Sequence, residues 1–222
     1  MRKQSAWDEG TKRRLIEAAG EVFAKKGYHA ATVRAICQQA GASVSAINYH
    51  FKDKEALYAA VFEYAHRRAM EKYPPDLGLK PGATSEDRLW AFIRSALLSH
   101  LDSGFPAWHE RLISHEMSNP TGMLDTVKQK YIQPLNAAME GIAREIMHKA
   151  SPNHEPDGEL VQLGAMNILG ACIFQHHARQ TMRTVQSANP EPEEIEAIAE
   201  HIYRFSLAGL CALATDKDGK PR

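Results

Sequence analysis

Two helix-sized patterns meet at Gly41, and the shortness of the junction between them limits what the chain can fold into. Thr32 suits an N-cap because its hydroxyl can accept an orphan amide hydrogen of a first turn, and Val33, Ile36, Cys37 and Ala40 then recur at helical spacing. Gly41 stands where a helix end usually needs a left-handed residue. Ser43 can open a second helix two residues later, with Val44, Ile47 and Phe51 on one face. So tight a connection predicts a helix-turn-helix.

The second helix of this pair carries small and polar side chains where a solvated helix normally places long Lys and Glu. Ser45, Ala46, Asn48, Tyr49 and His50 lie outside or at the margins of its apolar face. Short side chains allow close approach to base edges. The Asn48 amide offers the donor and acceptor that match adenine N6 and N7, while Ser45, Tyr49 and His50 can reach phosphates. Asp53 is a plausible N-cap for the next helix, yet Lys54 falls in its first turn, where the helix dipole disfavours a cation. A phosphate would resolve that conflict, with Lys52 adding a second charge beside it. The expected DNA-contacting set is Thr32, Arg34, Ser43, Ser45, Ala46, Asn48, Tyr49, His50, Lys52 and Lys54.

The run from Lys12 to Tyr58 resembles the TetR family of bacterial transcriptional regulators. The resemblance rests on Arg14 to Ala19, Phe23, Gly27-Tyr28, Thr32-Val33, Ala40-Gly41 and Tyr49 to Leu57, in order and at the family's spacing. Asn48 departs from it, since many relatives have Tyr there. The resemblance implies a homodimer that places two recognition helices in successive major grooves of an operator, with a C-terminal domain sensing a small-molecule effector. The segment from Arg111 to Pro134 is similar to the sensor domain of the CecR-like subgroup, typified by regulators of antibiotic tolerance.

Net charge is zero over the 222 residues, so the whole chain gives no electrostatic sign of nucleic-acid binding. Its distribution does, because residues 1–73 carry 13 basic and 8 acidic side chains while the remainder carries 14 and 19. No apolar run approaches a membrane span and the N-terminus lacks an export signal, so no membrane partner and a cytoplasmic location are expected. Cys37, Cys172 and Cys211 are widely separated and are expected as reduced core residues.

The fold expected is all-α. It has an N-terminal three-helix DNA-binding domain at 1–58, with a flexible arm over 1–10, and a ligand-sensing and dimerisation domain at 59–222. A long helix from Asp53 to about Tyr73 joins them, spanning roughly 30 Å. Further helices are read over 85–103, from Pro106 to about Ser118, over 121–149 with a kink at Pro134, over 157–185, and from about Ile195 to Ala214, before a disordered tail at 215–222. Apolar residues cover more than one face of the last two helices, and small residues occur among them, which predicts a four-helix bundle with a second subunit.

No zinc spacing, GxSxG, Walker loop or strand-borne GxGxxG occurs among the candidate polar groups, so neither catalysis nor a metal or cofactor is expected. An apolar sensor pocket would draw on Trp90, Trp108, His109, His115, Glu116, Met117, Tyr131, Asn167, Phe174, His176 and Arg179. The function expected is a ligand-released repressor on a palindromic operator. An activator or dual regulator would use the same scaffold, and a metal-dependent helical enzyme is the rival class.

Overall fold

The computed structural model describes residues 2–101, 108–122, 125, 128–181 and 190–215, apart from some side chains within these ranges. Helices α1 (Arg2–Ala30), α2 (Val33–Ala40), α3 (Val44–Phe51), α4 (Lys54–Lys72), α5 (Ser85–Leu101) and α6 (Trp108–Ser118) are followed by a π-helical segment, Lys128–Ile132. Then come α7 (Gln133–Ala150), α8 (Gly158–Thr181) and α9 (Pro192–Leu213). The all-α expectation holds.

The chain divides into two compact units, Met1–Arg68 with Phe105–Tyr131, and Ala69–Gly104 with Ile132–Arg222. This differs from the expected boundary at 58/59. Most of α4 belongs to the first unit, and so does α6, because Trp108 and Leu112 are buried in the same core as Leu15, Phe23, Ile36, Ile47 and Leu57. Amphipathicity shows which face of a helix is buried but not which neighbour buries it, and α6 lies far from α1 in sequence. In the second unit α5, α7, α8 and α9 pack on one another around Leu89, Ile93, Leu97, Met139, Ile146, Val161 and Ala199, all fully or almost fully buried.

Local chemistry accounts for most of the boundaries. Thr32 has extended backbone and its hydroxyl accepts the Ala35 amide at 3.2 Å. Gly41 takes the left-handed conformation, and the Gly41 and Ala42 amides close back on the carbonyls of Gln38 and Cys37. Asp53 caps α4 through the Ala56 amide at 2.8 Å. Gly27, at φ 72° and ψ 169°, breaks α1 near its end, where the sequence places the stop. The π-helical segment ends at Ile132, directly before α7, and Pro134, where a kink is expected, sits in the first turn of α7.

Three expectations need correction. The segment expected as a flexible arm is helical from Arg2, continuous with α1; residues 2–9 contain no proline or glycine to interrupt it. Ser43 has N-cap backbone geometry, but its hydroxyl pairs with Ser45 at 2.7 Å and makes no capping bond. Val44 is 49% exposed, not in the core with Ile47 and Phe51, so only the later turns of this short helix contribute to the core. The tail beyond Thr215, and the part of the expected 157–185 helix beyond Thr181, lie outside the described residues.

Candidate DNA interface and sensor domain

The α3 helix is held by its inner face alone. Ile47 is fully buried and Phe51 nearly so, while Ser43, Val44, Ser45, Asn48 and Tyr49 are exposed and Ala46 and His50 are half-buried. Tyr49 is 75% exposed, an unusual position for an aromatic ring, and His50 packs edge-on against it at 4.9 Å. Thr32 and Arg34, on the neighbouring α2 side, are exposed as well. The structure thus brings the expected polar set onto and around one short helix whose buried side is fixed. It also adds Val44, whose branched apolar side chain suits a thymine methyl in a major groove. Sequence reasoning missed this because Val at that spacing reads as core.

Lys54 has a more specific place than a free surface cation. Its ammonium donates to the carbonyl oxygens of Tyr28 and Ala31 at 2.8 and 3.0 Å, and lies 4.3 Å from the centre of the Tyr28 ring. Two of its three hydrogens therefore satisfy carbonyls where α1 ends, and these carbonyls offset the unfavourable dipole at the start of α4. Lys52 is exposed and adopts φ 75°, alone among the non-glycine described residues in a positive φ. That conformation turns the chain from α3 into α4 within two residues.

Beneath this surface an aromatic group ties the first unit together. Tyr58 meets Phe23 edge-on at 4.7 Å and Phe62 at 5.1 Å. Its hydroxyl donates to the buried Glu116 carboxylate at 2.7 Å, and burial followed by that carboxylate pushes the phenol well above its ordinary range. The other Glu116 oxygen accepts the amide and hydroxyl of Thr121, each at 2.8 Å. On the same helix, Trp108 covers Gly20 so closely that a Cβ there would lie 2.6 Å from the indole.

The expected sensor residues are divided between the two units. Trp108, His109, His115 and Glu116 belong to the first unit, and Trp90, Asn167, Phe174 and Arg179 to the second. Trp108 and Glu116 are engaged in the packing just described. Trp90 packs edge-on against Tyr203 at 5.6 Å. Asn167 and Phe174 are exposed on α8 and line a groove of about 330 Å³ between α8 and α9, with Gly164 and Gly209 also in its lining. Arg179 is buried, with Glu194 at 3.9 Å. The side chains of Met117, Tyr131 and His176 lie outside the described residues.

Among the described residues no group of His, Cys, Asp and Glu could hold a metal ion, and no helix is long and apolar enough to cross a membrane. All three cysteines are free. Burial pushes the Cys172 thiol up to about 12 and raises those of Cys37 and Cys211, so none has the lowered pKa of a reactive thiolate.

Two family models match. Residues 15–61 match the bacterial regulatory proteins of the tetR family, and residues 85–210, more than half of the chain, match the C-terminal domain of the HTH-type transcriptional dual regulator CecR. The chain belongs to the TetR family, with a CecR-type C-terminal domain. It is a DNA-binding transcriptional regulator and not an enzyme. It is 26% identical over 156 residues to the HTH-type transcriptional regulator SrpR of Pseudomonas putida, covering 70% of this chain and 68% of SrpR. Among solved structures, the fatty acid degradation regulator FadR from Bacillus halodurans superposes with a TM-score of 0.66 at 18% identity, over 90% of this chain and 95% of FadR. AibR, solved in complex with isovaleryl coenzyme A and operator DNA, gives 0.60 at 18% identity, over 88% and 97%. At these identities the likeness to solved structures is one of fold.

Proposed function

We propose that this TetR-family regulator is a repressor that binds a near-palindromic operator as a homodimer and leaves it when a small organic effector occupies the C-terminal domain. The observation that carries the DNA-reading part is the α3 surface, where Asn48, Ser45, Tyr49 and Val44 stand exposed on a helix clamped by Ile47 and Phe51. Asn48 reads adenine, Val44 a thymine methyl, and Ser43, Ser45, Tyr49, His50, Lys52, Thr32 and Arg34 meet the backbone. Lys54 positions α4 and has one hydrogen left for a phosphate.

The dimer reading is supported by α8 and α9. Leu163, Met166, Ile173 and Phe174 on α8 and Phe205 on α9 are between 43% and 76% exposed, beside the apolar groove. An apolar surface of this kind is covered when two helices from each subunit form a four-helix bundle. Sedimentation at micromolar concentration should give a dimer, and a monomer would overturn this part of the reading.

The effector class to test first is an acyl thioester, since AibR was solved with isovaleryl coenzyme A and FadR is named as a fatty acid degradation regulator. A reporter driven by the bound promoter should be silent with the regulator and active when effector is added. A fall in expression on deleting the regulator would favour the second reading, a dual regulator, to which the CecR description points.

A further inference from the structure

Lys52 stands in a backbone conformation that this chain otherwise gives to glycine. Among the described residues, those with positive φ are Gly27, Gly41, Gly78, Gly82, Gly122 and Lys52. At φ 75° and ψ −53°, Lys52 lies close to the centre of a classic γ-turn, a rare and strained geometry for a residue with a Cβ. The two-residue passage from α3 to α4 accounts for the backbone. The Lys52 amide closes α3 on the Asn48 carbonyl at 3.2 Å, and Asp53 then caps α4 through the Ala56 amide. It does not account for the side chain, because glycine makes the same turn without strain. No contact in the described chain offsets that strain either. Lys52 is exposed, and among the described residues no hydrogen bond, ion pair or ring engages its ammonium. The adjacent Asp53 carboxylate is committed to Ala56, and Lys54 to the Tyr28 and Ala31 carbonyls. Lys52 is therefore an uncommitted cation at the end of α3, one helical turn beyond Asn48.

We propose that lysine is kept at position 52 against the stability of the fold, because the strained turn presents its ammonium to a DNA phosphate beside the groove that α3 enters. The chain is then less stable with lysine there than with glycine, and binds DNA more tightly. Strain held at one exposed residue and offset only when a ligand is bound is the form that functional backbone outliers take. The inference rests on α3 being the DNA-reading helix.

Three substitutions in the full chain separate strain from charge. Lys52→Gly removes both, Lys52→Gln removes the charge and keeps the strain, and Lys52→Arg keeps both. Urea unfolding at one protein concentration reads the strain. Lys52→Gly should lower the unfolding equilibrium constant about fivefold or more, even after the freer unfolded chain of glycine is counted, while the Gln and Arg variants stay within about twofold of wild type. The salt dependence of binding to a genomic fragment recovered with the wild-type protein reads the charge. In Lys52→Gly and Lys52→Gln the slope of log K against log salt should fall by about 0.9 per bound subunit, and affinity at about 0.15 M salt by about fivefold per subunit. Lys52→Arg should keep the wild-type slope. The reading of α3 has its own measure, the wild-type preference for that fragment over random DNA, which does not enter either comparison. A Lys52→Gly chain no more stable than wild type, or an unchanged salt slope in Lys52→Gln, would overturn the proposal.

Discussion

Replacing Lys54 by Met keeps an unbranched stem of similar length and removes only the ammonium. The two carbonyls it serves, those of Tyr28 and Ala31, lose charge-assisted bonds of 2.8 and 3.0 Å. Hydrogen bonds to charged groups contribute about 1.5–3 kcal/mol each, but these are only partly buried and water replaces the ammonium in part. The cation over the Tyr28 ring adds about 0.5–1 kcal/mol at such a site. The net loss should be about 2 kcal/mol, which for a chain of 222 residues lowers Tm by about 4–8 °C. Differential scanning calorimetry with and without the substitution measures it, and the salt dependence of DNA binding measures the other half of the residue's role. If the third hydrogen meets a phosphate, the slope of log K against log salt falls by about 0.9. A Tm within 1 °C of wild type would refute the carbonyl-anchoring argument, since a free surface lysine has no such cost.

Asn48→Ala should lower affinity for the selected operator by about 1–3 kcal/mol and leave binding to random DNA nearly unchanged; competition titrations with both DNAs check this. Gly20→Ala places a Cβ 2.6 Å from the Trp108 ring, so urea unfolding should report a loss of about 1–3 kcal/mol with a changed Trp emission spectrum. In the second unit, the Lys149 hydrogen bond, helped by Glu86's own backbone amide and by Ser85, holds the Glu86 carboxyl down to about 2 from its ordinary 4.5. A lowered folded pKa contributes stability that is complete above pH 4.5 and is lost as pH falls towards 2. Because both partners are substantially exposed, the contribution is at most about 1 kcal/mol, and Glu86→Gln should flatten the acid limb of a stability-versus-pH curve by that amount.

Local chemistry was legible in the sequence wherever a residue acts on its own neighbours. Thr32, Gly41 and Asp53 perform the capping and turning roles their side chains suggest, and Gly27 and Pro134 mark real interruptions. Ser43 shows the limit of that reading, since Ser45 two residues away offers its hydroxyl a competing partner. Choices made by distant packing were not legible. Spacing put Val44 on the apolar face with Ile47 and Phe51, yet it is 49% exposed, and periodicity does not reveal that α6 packs with α1 and α4 in the first unit. Lys54 lies between these cases. Its conflict with the helix dipole was visible, but the carbonyls that relieve it come from the end of α1, more than twenty residues earlier.

In the proposed function the exposed face of α3 reads DNA sequence. Selecting genomic fragments bound by the full-length protein at physiological salt tests it most directly. The expected result is strong enrichment of a near-palindrome whose half-sites are centred about 10 base pairs apart, roughly 34 Å, or a multiple of that, with adenine at a position that becomes degenerate in Asn48→Ala. Recovery of fragments with no common sequence, or of the same motif with unchanged stringency from Asn48→Ala, would contradict it.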